Sequence, residues 1–319
     1  LIKSAVVGCG YLGRFHADKY HQSPNAELVA VMDVNEENGK GVATKLGVPF
    51  VSSLQELIPL GVQCASVAST TSTHFEIAKW LLENGIDVLL EKPMTTTTAE
   101  AYKLVEIAHE KKRILQIGHL ERFNPAFIAL KQHLTEPKFF EAKRISVFTG
   151  RGADVDVVRD LMIHDIDILC NLAQSEITSI DAVGTPVVTN SVDIANARIR
   201  FKNGAVANVT SSRVALQSER TIRIFQPNTY IVIDFGEKTL RIFNKLETQD
   251  ERGLPKIDIQ KHAVDESDAL RDEIEAFLSA VRDRSQPLVT GEDGIRAIKL
   301  VEMINSAMSV NSPVIFDHS

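Results

Sequence analysis

Gly8-Cys9-Gly10-Tyr11-Leu12-Gly13 follows the short apolar run Ser4–Val7 and precedes a helical pattern running from Tyr11 to about Gln22. Glycines spaced GxGxxG between a strand and a helix suit a dinucleotide pyrophosphate. The first permits a tight turn, the second lets a phosphate reach the backbone, and the third lets the helix pack on the sheet. The free N–H groups of the helix N-terminus add a partial positive charge. Asp33 ends the next strand, 20 residues after Gly13. A carboxylate there accepts hydrogen bonds from both adenosine ribose hydroxyls and repels a 2′-phosphate. The pattern predicts NAD rather than NADP, held by Gly8, Gly10, Tyr11, Leu12, Gly13 and Asp33.

Two further groups carry acid–base chemistry. Glu91-Lys92-Pro93 stands at the carboxyl end of the buried-type run Ile86–Leu90, where ligands of open α/β sheets bind. A lysine beside a desolvated site can serve in proton transfer. The Lys92–Pro93 bond could be cis or trans; sequence leaves this open. Asp160 and His164 are four apart on a helix expected over about Arg159–Ala173, with Asp167 at i+7 on the same face. Imidazole beside carboxylates exchanges a proton near neutral pH, as oxidation of an alcohol requires. The same polar stripe could be a structural His–Asp pair. His164-Asp165 also resembles a metal-binding dyad, but the sequence offers no set of three well-placed ligands around it, so no metal is expected.

The elements needed to position these groups are legible as patterns. Through residue 121, strands alternate with helices: Ser4–Val7, Glu27–Asp33, Phe50-Val51, Ala65–Val67, Ile86–Leu90 and Ile114–Ile117, with helices Glu36–Leu46, Thr73–Asn84 and Thr98–Lys111. Continuous apolar strands in β-α alternation predict an α/β fold, a Rossmann-type doubly wound parallel sheet. Beyond it, a helix near Pro125–His133 leads into strand runs at Glu141–Thr149, Ile177–Val188, Asp193–Phe201, Ala205–Ser212, Thr221–Ile224 and Thr229–Asp234. Turn signals such as Lys202-Asn203-Gly204 separate them. Two helices, about Asp268–Arg282 and Gly291–Ser309, finish the chain. The expectation is an NAD-binding domain over 1–121 and an α+β domain over 122–319. The second is built on a large, mostly antiparallel sheet, and the last helix could pack back on the first.

Composition limits the function classes. The chain has 319 residues, 35 Lys+Arg against 42 Asp+Glu, and a net charge of −7. That balance disfavours general nucleic-acid or membrane-surface binding. No apolar run approaches the roughly 18 residues of a membrane span. Cys9, Cys64 and Cys170 are odd in number and far apart, which indicates neither a disulfide framework nor a zinc motif. A reduced, cytoplasmic enzyme is expected.

Gly8–Gly13, Ser69-Thr70-Thr71-Ser72-Thr73-His74 and Glu91-Lys92-Pro93, in that order, resemble the glucose-fructose oxidoreductase / inositol dehydrogenase / rhizopine-catabolism (Gfo/Idh/MocA) family. The resemblance continues through Gly118–Pro125, Asp160–Asp165 and Gly291-Glu292-Asp293-Gly294, so it covers essentially the whole chain. Thr70 stands where the family often has proline, a departure that could loosen the loop. The resemblance implies that Lys92 lies by the reacting carbinol and Glu91 near the nicotinamide ribose. Ser69, Thr70 and His74 would line the cofactor crevice, and Asp160 and His164 would form the second domain's catalytic half. Either His164 or Lys92 is then the base, with the other orienting the hydroxyl. A homodimer or homotetramer through the second sheet is also implied.

Gly118–Pro125, Thr149-Gly150-Arg151 and Asp154–Asp160 look most like the family branch that oxidises the 3-hydroxyl of UDP-N-acetyl-hexosamines. This would make His119, Arg122, Asn124, Arg151, Asp160 and His164 substrate-binding residues. A diphosphate needs local cations, for which Arg122, Lys143, Arg144, Arg151, Arg159 and Arg213 are candidates. Competing readings are a dehydrogenase of a free polyol or sugar such as inositol, a glycoside hydrolase using NAD transiently, and a non-catalytic NAD-binding regulator.

Overall fold

Ile2–Val7 (β1) is buried without a break from Ser4 onward, the pattern of a parallel strand covered on both faces. The computed structural model describes residues 1–150, 155–263, 267–310 and 314–315. They form two units: Leu1–Phe123 with Asp268–Ile298, and Asn124–Ser267 with Lys299–Ser319.

In the first unit β1 is joined by Ala26–Met32 (β2), Phe50–Val51 (β3), Cys64–Val67 (β4), Asp87–Glu91 (β5) and Leu115–Gly118 (β6). The order is β3-β2-β1-β4-β5-β6 and every pairing is parallel, so this is the expected doubly wound sheet. Four helices connect the strands: Tyr11–Gln22 (α1), Glu36–Leu46 (α2), Thr71–Glu83 (α3) and Thr98–Glu110 (α4). Asn35 caps α2 by accepting from the N–H groups of Glu37 and Asn38. Thr97 and Glu100 form a capping box on α4. Neither α1 nor α3 has a side-chain cap, and the first turn of α1 holds no acidic residue.

The second unit opens with Pro125–Leu130 (α5), followed by a 3-10 turn at Lys131–His133 in place of the longer helix expected there. Its sheet contains Phe139–Val147 (β7), Ile177–Thr185 (β8), Ile194–Phe201 (β9), Val206–Ala215 (β10), Glu219–Gln226 (β11), Thr229–Asp234 (β12), Thr239–Gln249 (β13), Pro255–Ala263 (β14) and Val314–Ile315 (β15). The order is β14-β13-β12-β11-β7-β10-β9-β8-β15. Every pairing is antiparallel except β7 with β10. Along β9, Ala195, Ala197, Ile199 and Phe201 point inward and their neighbours outward, as period-2 patterning requires. Across β7, β11, β12 and β13 the rings of Phe139, Phe225, Tyr230 and Phe243 follow one another at centroid spacings of 5.5, 4.8 and 5.2 Å.

The helix expected over Arg159–Ala173 is two differently wound pieces. Val158–Met162 is a π-turn, and the α-helix proper, Ile163–Ala173 (α6), starts after it. A π-turn bonds i to i+5 and is wider than an α-turn, so Asp160 and His164 are not one regular α-turn apart. Asp167 is buried in α6, whereas Asp160 and His164 are half-buried.

Ala269–Asp283 (α7) returns the chain to the first unit, and Gly291–Val310 (α8) follows. On α7, Ile274, Phe277, Leu278 and Val281 share a core with Ala17 and Tyr20 of α1 and Val42 and Ala43 of α2. On the sheet's other face, α3 and α4 contribute Ala78, Leu81, Leu82, Ala101 and Leu104. Each such buried Leu, Ile or Phe contributes about 1.5–3 kcal/mol. Among the described residues no helix is long and apolar enough to cross a membrane.

Candidate active site

The registers β1–β4, β4–β5 and β5–β6 bring the carboxyl ends of four strands side by side. Val7 pairs with Val67, Val67 with Leu90, and Glu91 with Gly118. The residues that follow these ends are therefore neighbours along one edge: the glycine loop, Ser69, Lys92 and His119.

In the loop, the three glycines answer three different constraints. Gly8 has φ +91°, and a Cβ there would lie 2.6 Å from the Ser69 backbone nitrogen. A Cβ on Gly13 would fall onto the Gly8 carbonyl oxygen. At Gly10 a Cβ would meet nothing within 4 Å, so this glycine keeps open the space that a pyrophosphate would fill at the uncapped N-terminus of α1. Asp33 Oδ2 accepts from Cys9 N–H at 2.6 Å and Oδ1 from Asn35 N–H at 2.7 Å. A carboxylate offers about four acceptor positions, so it retains capacity for ribose hydroxyls. Burial, followed by the Asp33 charge, pushes the Cys9 thiol up to about 12. Tyr11 and Leu12 are exposed, and Arg14 stacks over the Tyr11 ring. The observed surroundings of the loop fit NAD.

Ser69 Oγ and Thr73 Oγ1 are 2.9 Å apart, and Thr70 is the first residue before α3. His74, only 1% exposed, sets Nδ1 against the Pro93 carbonyl at 2.9 Å and Nε2 against the Ser69 carbonyl at 3.1 Å. It braces the Ser69 loop to the Glu91-Lys92-Pro93 corner. Burial lowers its pKa, the two carbonyls opposing that shift. The Lys92–Pro93 peptide is cis, and Lys92 is half-buried.

Glu91 is the end of a buried chain that the motifs do not reveal. Its Oε1 lies 3.0 Å from His16 Nε2, His16 Nδ1 lies 3.1 Å from Ser66 Oγ, and Ser66 Oγ lies 3.0 Å from the Tyr20 hydroxyl. A carboxylate only accepts. So Nε2 carries a hydrogen toward Glu91, and the chain continues from Nδ1 through Ser66 to Tyr20. Burial alone would raise Glu91, but the bond and charge of His16, then the Lys92 charge, outweigh it and hold the carboxyl below its ordinary value. Gly118 lies so close that a Cβ there would stand 3.0 Å from the Glu91 carboxyl carbon. His16 and Glu273 stand beside Glu91 as a buried trio. The available signal was their position: each is a polar residue in the buried stripe of an amphipathic helix.

His119 and Arg122 belong to the first unit. Arg122, 5% exposed, reaches Asp293 at 3.3 Å. Asn124, in the second unit, accepts from Ala126 N–H and caps α5. Arg144 binds both carboxylate oxygens of Asp165 inside the second unit. Arg213 is likewise buried against Asp193. Arg159 lies 3.5 Å from Asp156 and is more open, and Lys143 is half-buried. Arg151 and Asp154 lie outside the described residues.

The family model for the NAD-binding Rossmann domain of the Gfo/Idh/MocA oxidoreductases matches residues 2–119, and that for a Gfo/Idh/MocA C-terminal domain matches residues 136–232. UDP-N-acetylglucosamine 3-dehydrogenase of Acidithiobacillus ferrooxidans is 36% identical over 310 residues, covering 96% of this chain and 97% of the relative. A solved structure of that enzyme superposes with a TM-score of 0.92 at 35% identity, over 97% of this chain and 98% of that one. Myo-inositol 2-dehydrogenase of Thermotoga maritima is 26% identical, over 94% of each chain. The fold is shared with GenD2 from gentamicin A biosynthesis, solved with NAD, at a TM-score of 0.84 and 20% identity over 99% of this chain and 96% of that one. The glycine loop, its acid and the near full-length matches together establish that the chain belongs to the Gfo/Idh/MocA family and is an NAD-binding oxidoreductase.

Proposed function

We propose that the chain is an NAD-dependent sugar dehydrogenase that oxidises the 3-hydroxyl of a UDP-N-acetyl-hexosamine. The observation that carries this reading is the 36% identity to a UDP-N-acetylglucosamine 3-dehydrogenase, spread over 96% of the chain rather than confined to the cofactor domain. The polyol reading has weaker support, at 26% identity to the inositol enzyme. NAD, when bound, supplies the hydride acceptor. Gly8, Gly10, Tyr11, Leu12, Gly13, Asp33, Ser69, Thr70, His74 and Glu91 hold it or brace its loops. Lys92 in the first unit and Asp160 and His164 in the second carry the acid–base work, with Lys92 or His164 taking the hydroxyl proton. Arg144 and Arg213 are already committed to buried carboxylates. Arg122 is likewise paired with buried Asp293, so the more open Arg159 and Lys143 are better suited to a diphosphate, alongside His119 and Asn124 as sugar-side contacts. The aromatic row on β7, β11, β12 and β13, of which Phe225 is exposed, supports assembly as a homodimer or homotetramer.

The test is NADH formation with UDP-N-acetylglucosamine, with myo-inositol and with an aryl N-acetylhexosaminide. An aminotransferase is included to trap the keto product. The proposal expects turnover of the nucleotide sugar alone. It is wrong if inositol is the substrate, or if the aryl glycoside is cleaved without net NADH. Lys92→Ala and His164→Ala should each lose about 10²–10⁴-fold in turnover, the worth of a general acid or base, while still binding NAD. Loss of NAD binding instead would remove the assigned roles.

A further inference from the structure

Glu273 presents a buried carboxyl for which the proposed chemistry has no use. It lies on α7, in the stripe that carries Phe277 and Val281 into the core, and none of its surface is exposed. Among the described residues, neither carboxyl oxygen has a hydrogen-bond partner. Gln116 donates to the Glu273 backbone carbonyl at 3.1 Å and not to its side chain. One Glu273 oxygen, one Glu91 oxygen and a His16 ring nitrogen all lie within 4.8 Å of one another.

Two carboxylates that close, without solvent, do not both ionise. The arrangement decides which of them holds the proton. Glu91 accepts from His16 at 3.0 Å and from the Lys92 N–H at 3.2 Å, and it feels the Lys92 charge. Glu273 has no such donor among the described residues, and burial, then the Glu91 charge, drives its pKa well above the ordinary value. A divalent cation could also balance the charges. It would need a His16 nitrogen, yet Nε2 faces Glu91 and Nδ1 faces Ser66. A cation would break that chain, whereas a proton on Glu273 leaves it intact.

We infer that Glu273 is a positioning residue, held as the neutral acid behind Glu91 so that Glu91 is the single buried anion at the Lys92 corner. The elements packed on α7 bring other titratable or charged groups: His16, Lys19 and Tyr20 from α1, Asp87 and Glu91 from β5 with Lys92 next in the chain, and Glu121 and Arg122 from the turn at 120–123. Lys19 is paired with Asp268, Asp87 with Arg284 and Arg122 with Asp293. Among the described residues, His16 and Glu91 are the imidazole and the carboxyl that lie within 4.8 Å of Glu273 and of each other. Ionising Glu273 would set a second negative charge against Glu91, whose carboxyl is already crowded by Gly118. The consequence for turnover rests on the role proposed above for Lys92; the protonation state does not.

Glu273→Gln keeps the shape and cannot ionise. Infrared spectra of the whole protein at pH 8 should contain the carbonyl stretch of a protonated carboxylic acid, and Glu273→Gln should lack it. Thermal unfolding gives a second, substrate-free readout. An acid with a raised folded pKa stays protonated when folded but ionises when unfolded, so wild-type stability falls as pH rises above about 4.5. The Tm of Glu273→Gln should therefore gain on wild type between pH 5 and pH 8. With an oxidised substrate in hand, the variant should shift the alkaline limb of kcat/KM upward. The inference fails if wild type lacks the infrared band, or if the Tm difference is independent of pH. One equivalent of divalent metal in wild type that Glu273→Gln loses would also overturn it. Should Glu273→Gln not fold, the wild-type spectrum alone decides. Should no sugar be oxidised, the spectrum and the Tm profile still stand.

Discussion

Asp33 Oδ2 accepts the Cys9 backbone N–H at 2.6 Å, so the acid proposed to sort the adenosine ribose also fixes the glycine loop. The two tasks share one side chain because β1 and β2 are adjacent and in parallel register, with Val7 beside Met32. Replacing Asp33 with Ala removes the loop bond, the Asn35 bond and the ribose acceptor together. Hydrogen bonds to a charged group are worth about 1.5–3 kcal/mol each, so NAD should bind at least about tenfold more weakly. Without the carboxylate to repel a 2′-phosphate, the NAD-to-NADP preference should shrink. Titrating both cofactors by fluorescence checks this. An unchanged preference would show that Asp33 only holds the loop.

Gly10 and Gly13 should respond in opposite ways to the same added methyl group. At Gly13 the new Cβ collides with a backbone carbonyl that cannot swing aside. Overpacking of this kind costs about 1–3 kcal/mol or more, and Gly13→Ala should lower Tm by several degrees. At Gly10 the Cβ enters open space, so Gly10→Ala should unfold close to wild type yet bind NAD at least about tenfold more weakly. Unfolding scans with and without NAD separate the two effects. Equal losses of Tm would contradict the assignment of Gly10 to the ligand.

The first sheet was readable because its strands are buried on both faces and punctuated by glycines, as at Gly47, whose φ of +67° ends α2. β13 and β14 were not. After Ile242 the inward positions of β13, Asn244, Leu246 and Thr248, are no longer buried, and Ile257 and Ile259 on β14 are exposed. Short alternations such as Lys256-Ile257-Asp258-Ile259-Gln260 are present, but neither isoleucine is buried there, so the apolar side of the pattern marks no core face. Gly8, Gly10, Gly13 and Asp33 were legible as a motif because backbone geometry dictates residue type there. The pairing of Arg144 with Asp165 across 21 residues was not, because it depends on where β7 meets α6. The π-turn at Val158–Met162 was also hidden: its composition does not distinguish it from an ordinary first turn.

Asp193 makes a similar hidden node in the second unit. It accepts from the N–H groups of Val187, Val188 and Thr189 and from the Thr189 hydroxyl, and its other neighbour is buried Arg213. Burial by itself would raise its pKa; the three N–H donors and the hydroxyl overcome this and hold the carboxyl well below its usual range. Its folded pKa is depressed, so its contribution is complete above the unfolded value of about 3.8 and is lost as pH falls toward the folded one. Asp193→Ala leaves Arg213 buried without this carboxylate and three loop N–H groups without their acceptor. Removing one partner of a buried pair costs about 3–5 kcal/mol, so the variant should unfold at clearly lower denaturant at pH 7. Asp193→Asn keeps an acceptor but not the charge, and should fall in between. The difference between wild type and Asp193→Asn should narrow as pH drops below about 3.8. A gap that stays constant from pH 7 to pH 3 would mean that the charge of Asp193 contributes nothing and that its shape alone organises the loop.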